Sequence, residues 1–164
     1  MKKEWLTKEL AESLFYYKDG VLYWKEDRGT YPTKDKPVGS VTKAGYFESK
    51  LNLKTFKVHR VVFLLHHGYL PEVIDHIDGN RQNNHIDNLR EATPSQNKCN
   101  QKIYKNNTSG VKGVFFKKAT KKWAAQISYN GKRKQLGTFE SFDLASEFID
   151  LARQMLHQNF ARTA

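Results

Sequence analysis

The sequence predicts an α+β chain in which small antiparallel sheets are backed by helices. Three observations lead there. Short strand-like runs are joined by the tight-turn dipeptides Asp19-Gly20 and Asn130-Gly131, both strong hairpin signals. Apolar residues recur at helical spacing from Val58 to His67 and again from Ser141 onward. Between these lies a stretch rich in Asp, Asn and His, residues 72–100, whose pattern reads strand, loop, strand, helix.

The elements follow in order. Thr7 to Phe15 reads as a short helix with Thr7 as its cap. Asp19-Gly20 then turns Phe15-Tyr16-Tyr17 onto Val21-Leu22-Tyr23-Trp24. Residues 25–37 are charged and carry Gly29, Pro32 and Pro37, so they read as a loop. Strand-like runs follow at Val38–Val41, Tyr46–Leu53 and Thr55–Lys57. The helix Val58–His67 stops at Gly68, the usual left-handed position past a helix end.

In the polar stretch, Val73-Ile74 leads into a strand and Asp78-Gly79-Asn80 marks a turn. Ile86 and Leu89 suggest a second short strand. Thr93-Pro94-Ser95-Gln96 reads as a helix start, with Thr as cap, Pro in the first turn and Gln three residues after Thr. Residues 101–109 have little apolar content and read as a linker. From Gly110 come three short strands, Lys112–Lys117, Lys122–Tyr129 and Arg133–Phe139, and then a helix. Leu144, Phe148, Leu151 and Met155, flanked by Ala145, Ala152 and Leu156, form the stripe expected to pack on one face of that sheet. The opposite sheet face is where the charges should point. The boundaries that follow are 1–57 for a strand-rich region, 58–100 for the polar-loop unit, 101–109 for the linker and 110–160 for the last module.

Composition narrows the function classes. At 164 residues, with 38% hydrophobic residues and a mean hydropathy of −0.74, the chain has room for one ordinary domain or two small ones. It is too polar for one large core. No apolar run approaches bilayer length and no signal-peptide pattern is present, which points to a cytoplasmic protein with no membrane partner. The single cysteine, Cys99, excludes an intrachain disulfide framework and paired-cysteine zinc sites.

Net charge is +11, and its placement says more than its size. Ten basic residues and no Asp or Glu fall between Gln101 and Phe139, interleaved with Phe115, Phe116, Trp123 and Tyr129. That is the footprint of a module that meets a phosphate backbone. A solvated basic face is the plainer alternative.

The chemistry concentrates at Asp75 and His76. Cutting a phosphodiester needs a base for water, a cation at the leaving oxygen and a held phosphate. An imidazole suits the base. The Asp75 carboxylate and the Asn97 amide oxygen are hard donors suited to Mg²⁺ or Mn²⁺. Taken alone, the spacing serves equally for polar residues that close turns.

The segment from Leu70 to Asn97 resembles the HNH family, the ββα-metal nucleases, and within it the intron-associated phage homing enzymes. The resemblance rests on Val58-His59-Arg60, Asp75-His76-Ile77-Asp78-Gly79-Asn80, Asn83-Asn84, Asn88-Leu89-Arg90 and Asn97. It implies a nuclease unit in which His76 is the general base and Asn88 orients it. Asp75 and Asn97 would hold one divalent metal. Asn97 stands where the family's final His usually stands. The implied reaction leaves a 5′ phosphate and a 3′ hydroxyl, and a monomer would nick one strand of double-stranded DNA, a homodimer both. The rival readings are a DNA-binding regulator with an idle nuclease fold and a structured-RNA binder.

The stretch Gly110 to Phe160 resembles the plant APETALA/ethylene-response-factor DNA-binding module, through Gly113-Val114, Lys122–Ile127 and Leu136-Gly137-Thr138-Phe139. The resemblance implies DNA contacts at Lys112, Phe115, Lys117, Gln126, Ser128, Arg133 and Gln135. Trp123 falls in that family's core and is read as packing. Arg60 is a further candidate phosphate contact, together with Lys54 and Lys57. His66 and His67 are read as structural, His85 as a solvated loop residue, His59 as packing beneath the site and Cys99 as a small buried hydrophobe.

Overall fold

Thr7 opens helix α1 (Lys8–Leu14) by accepting a hydrogen bond from Leu10 N at 3.2 Å. The next residues form the hairpin β1 (Phe15–Lys18) and β2 (Val21–Trp24), in register Phe15 to Trp24 and Lys18 to Val21. Asp19 and Gly20 take φ of 48° and 83° in its turn, as a two-residue hairpin that matches the strand twist requires. The computed structural model describes residues 5–30, 32–100, 103, 107–129 and 131–157, with the side chains of Lys98, Cys99 and His157 excepted. The reading of Cys99, most of the 101–109 linker, Asn130 and the module's last residues 158–160 lie outside that set.

A three-stranded antiparallel sheet follows: β3 (Ser40–Val41), β4 (Phe47–Leu51) and β5 (Lys54–Lys57). Two boundaries differ from expectation. The strand expected over Val38–Val41 shortens, because Val38 N bonds Leu22 O at 2.8 Å and so belongs beside β2. The run expected over Tyr46–Leu53 ends at Leu51, because Asn52 and Leu53 adopt φ of 47° and 66° in a tight turn. Leu53 is 97% exposed there. An apolar side chain at a turn tip carries no local turn signal.

Helix α2 (Val58–His67) ends at Gly68, whose N–H returns to Leu64 O at 2.8 Å. Its Val61, Val62 and Phe63 are buried with Leu6, Phe15 and Leu22 in one core that also takes in Ile74 and Leu89. The N-terminal strands and the polar-loop segment therefore share a single apolar centre. Strand β6 (Val73–His76) pairs with β7 (Leu89–Ala92), and a 3₁₀ turn at Ile86–Asn88 leads into β7. The chain divides into two compact units, Met1–Glu91 and Ala92–Ala164.

The second unit begins near helix α3 (Pro94–Cys99). Its start is a reciprocal cap: Gln96 N donates to Thr93 Oγ1 at 3.2 Å, and Thr93 N donates to Gln96 Oε1 at 2.7 Å. An antiparallel sheet of β8 (Val114–Lys117), β9 (Lys122–Tyr129) and β10 (Lys132–Phe139) then packs on α4 (Phe142–His157) through Val114, Ala125, Ala145 and Ile149.

The helix face turned to the sheet is not the expected one. Leu144, Phe148, Leu151 and Met155 are exposed, the last by 81%, while Ala145, Ile149 and even Arg153 are buried. Phe142, Ala145, Ile149 and Arg153 form a competing stripe at helical spacing, and small Ala145 meets small Ala125. Arg153 is satisfied by Asp150 Oδ1 at 2.6 Å and by the Lys112 carbonyl.

Gly113 sits where the chain before β8 runs close against β9 and α4. Its φ is 83°, and a Cβ there would lie 2.3 Å from Gln126 O and 2.7 Å from Ile149 Cδ1. Gly113→Ala must therefore displace backbone and adopt a disfavoured conformation together. It is expected to destabilise the second unit by about 3 kcal/mol, read as a lower urea midpoint with an unchanged far-ultraviolet spectrum before the transition.

Candidate active site

Strand β6 delivers two adjacent polar side chains, Asp75 and His76, each only 4% exposed. Neither sits there without partners. Asp75 Oδ2 accepts two hydrogen bonds from Arg90 on β7, from Nε at 2.9 Å and Nη2 at 2.8 Å. His76 Nε2 lies 3.2 Å from Oδ1 of Asn84, itself buried. An amide oxygen can only accept, so this contact places the imidazole proton on Nε2 and makes Nδ1 the basic nitrogen. Burial pushes the imidazole below its ordinary pKa, against the Asn84 contact and the Asp78 and Asp75 carboxylates, which favour its charged form.

The loop after β6 explains why the segment is so rich in Asn. Asn80 N bonds Asp78 Oδ1 at 2.7 Å, Gln82 N bonds Asn80 Oδ1 at 3.1 Å, and His85 N bonds Asn83 Oδ1 at 3.3 Å. Each is a short polar side chain closing a turn two residues on. Asn83 Nδ2 adds a bond to Asp78 Oδ2 at 2.8 Å. Asn88 ties the loop's two ends: its Oδ1 accepts from Asp78 N at 3.0 Å, and its Nδ2 donates to Asp78 Oδ1 at 3.0 Å and Asn83 O at 2.8 Å. Its carbonyl also takes Ile77 N at 2.9 Å, one residue past His76. Burial opposes ionisation of Asp78, but the bonds from Asn83, Asn80 and Asn88 prevail and hold its carboxyl below the usual range.

A cluster of rings stands against His76. The His59 ring, from α2, meets it edge-on at 5.0 Å, and Tyr46, just before β4, lies 5.3 Å from His59 and 6.0 Å from His76. His59 is buried and its Nδ1 has no hydrogen-bond partner. Burial, with His76, Lys57 and Arg60 nearby, pushes its pKa down to about 3. Two cations cover Tyr46: Lys57 Nζ at 4.2 Å and Arg81 Cζ at 4.8 Å from the ring centroid.

Asp75, His76 and Asn88 thus gather in the first unit, while Asn97 stands in the first turns of α3 in the second. Arg60, a candidate phosphate contact, directs its guanidinium to the carbonyls of Glu72 at 3.4 Å and Pro71 at 3.2 Å. Among the described residues, no group of three or more His, Cys, Asp or Glu side chains gathers where it could hold a metal. Three participants carried no role in the sequence: Asn84 on His76, Arg90 on Asp75 and Arg81 over Tyr46. The runs Asn83-Asn84 and Asn88-Leu89-Arg90 marked the first two only as part of the motif.

In the second unit, Phe115 pairs with Ala124, Lys117 with Lys122, Gln135 with Gln126 and Arg133 with Ser128. Paired residues share a face and alternate residues along a strand face the same way. Phe115, Lys117, Gln126, Ser128, Arg133 and Gln135 therefore lie on one face, opposite the face that carries Ala125 and Val114 to α4. Lys112 lies just before β8 rather than within it. Trp123 packs edge-on against Phe142 at 4.9 Å.

Comparison with known proteins gives the chain relatives by sequence. A family profile described as HNH endonuclease matches residues 56–99. An uncharacterised HNH endonuclease of Acanthamoeba polyphaga mimivirus is 30% identical over 161 residues, spanning 90% of this chain and 83% of the relative. Protein 3.8 of Escherichia phage T7 is 37% identical over 106 residues, spanning 63% of this chain and 87% of the relative. A prophage-derived protein of Bacillus subtilis, named as a candidate HNH homing endonuclease, is 32% identical over 95 residues, 56% of this chain and 54% of the relative. No solved structure matches the chain. No helix among the described residues is long and apolar enough to cross a membrane.

Proposed function

The chain belongs to the HNH endonuclease family, and from that premise we propose that it is a homing-type enzyme that hydrolyses one phosphodiester of double-stranded DNA. The reading is carried by the placement of Asp75 and His76 side by side at the end of β6, braced by Arg90 and Asn84. His76 would accept a proton from the attacking water at Nδ1, with Asn84 keeping the other proton on Nε2. Asn88 would set the approach of the strand and loop through its bonds to Asp78 and Ile77.

HNH nucleases use a divalent metal, and the donors here fit Mg²⁺ or Mn²⁺: Asp75 and Asn97 offer hard oxygens and no thiolate. The bound cation would supply charge stabilisation at the leaving 3′ oxygen. The products would be a 5′ phosphate and a 3′ hydroxyl. One such site cuts one strand, so a monomer nicks and a homodimer breaks both.

Affinity would come from the second unit. Its face of Phe115, Lys117, Gln126, Ser128, Arg133 and Gln135, with Lys112 and with Arg60 of the first unit, would meet the duplex much as the APETALA/ethylene-response-factor sheet does. The test is conversion of supercoiled plasmid to open circle with Mg²⁺ or Mn²⁺. Nicking should vanish with EDTA and return with added metal. Duplex binding without nicking under any divalent ion would leave a DNA-binding regulator instead, and a preference for hairpin RNA would favour the RNA reading.

A further inference from the structure

We propose that Arg81 is a phosphate-binding residue of this site, holding the scissile phosphodiester beside His76 with Lys57 as a second cation. The inference rests on the reading of the chain as a DNA-cutting enzyme, and names the group that receives the substrate's charge.

Arg81 lies in the exposed loop after β6, yet its guanidinium is held by two contacts. Nη1 donates to Ala44 O at 2.8 Å. Cζ lies over the Tyr46 ring at 4.8 Å. Residues 44–46 belong to the β3–β4 turn, so the loop arginine reaches back 37 residues to a rigid hairpin. Surface arginines are ordinarily mobile, and ordering one costs side-chain entropy.

That fixed geometry leaves donors in place. A guanidinium carries five N–H groups in one plane. The contact over Tyr46 uses its face, and Ala44 uses one edge position. Among the described residues, Nε and Nη2 of Arg81 meet no acceptor. A planar fork with preset donors matches two oxygens of a phosphate. Lys57 brings a second positive charge over the same ring, from the junction of β5 and α2. The Tyr46 ring is 6.0 Å from that of His76, and Arg81 is one of the charges that His76 feels. Among the described residues, neither cation forms an ion pair with a carboxylate. A tether that served only to hold the loop would not need to leave two guanidinium donors open over a ring that stands beside the candidate base.

The experiment has two arms. In the first, single-turnover cleavage at a mapped site is compared for the full-length wild type, Arg81→Ala and Arg81→Lys. Arg81→Ala should cut about 10²-fold more slowly, with unchanged thermal midpoint and partial rescue by millimolar guanidinium ion. Arg81→Lys, keeping charge but not the fork, should fall between. In the second arm, inorganic phosphate is titrated without divalent metal while the Arg81 Nε–H and His76 ring signals are followed by nuclear magnetic resonance. Both should shift saturably in the wild type, and the His76 shift should disappear in Arg81→Ala.

Wild-type cleavage with an unimpaired Arg81→Ala would overturn the inference while leaving the enzyme reading intact. A non-saturating phosphate titration would overturn it as well. Saturable phosphate binding in a protein that cuts no DNA would sink the enzyme reading and support the phosphate site.

Discussion

His76→Ala is expected to lower the single-turnover rate of DNA cleavage about 10³-fold, without loss of duplex affinity. General-base groups commonly contribute about 10²- to 10⁴-fold, and 10³-fold corresponds to roughly 4 kcal/mol of transition-state stabilisation. The size follows from the local geometry. His76 is buried at a strand end, its ring restrained by Asn84 at 3.2 Å and by His59 at 5.0 Å. Little conformational search remains before it meets a proton. Under the proposed function, binding would rest elsewhere, on cations spread over the β8–β9–β10 face, since such phosphate contacts supply most sequence-independent affinity. A gel-shift titration alongside the cleavage assay separates the two. Cleavage by His76→Ala at the wild-type rate would remove His76 from the mechanism.

Acid should unfold the first unit through His59, which has no place in the cutting step. His59 is 5% exposed, its Nδ1 meets no partner, and its pKa is pushed down to about 3. In the unfolded chain the same imidazole titrates near its ordinary value of 6.5. Between those values the unfolded state binds a proton that the folded state refuses, so stability falls as pH falls. The loss begins below pH about 6.5, reaches roughly 2 kcal/mol by pH 5 and approaches roughly 4–5 kcal/mol near pH 3.

The groups facing His59 are His76 from β6, Tyr46 from the β3–β4 turn, and Lys57 and Arg60 at the start of its own helix. Two of these are fixed positive charges, so none relieves an imidazolium there. Urea unfolding from pH 8 to 4 should give a steep acid decline in the wild type and a shallower one in His59→Phe. Asp78, held below the usual carboxylate range, adds its own decline only at lower pH and in both proteins. Parallel profiles for the two proteins would refute the assignment.

What the sequence disclosed was local. The Asp19-Gly20 hairpin, the Gly68 helix stop and the Thr93–Gln96 reciprocal cap all depend on residues within four positions of each other. Each is present as expected. Pairing over longer spans was not legible. Nothing near Asp75 announces Arg90, and nothing near Arg81 announces Ala44, because those contacts exist only once the strands and turns are assembled.

The face of α4 failed for a different reason. Two stripes of similar spacing compete on that helix, and periodicity ranks them by hydrophobicity. Close approach to a sheet face carrying small Ala125 instead favours the stripe with small Ala145, and leaves Leu144 and Phe148 outside. Leu53 likewise counts as apolar in any pattern, yet it occupies a left-handed turn position.

The shared core of the first unit has a bearing on inheritance. Val61, Val62 and Phe63 on α2 are covered by Leu6, Phe15 and Leu22, contributed from before residue 25. A segment beginning at residue 58 would carry Asp75, His76, Asn88 and Asn97 but only part of the apolar lining that keeps its helix in place. The nuclease is therefore not a portable cassette: recombination that moves it between chains has to move the leading hairpin as well.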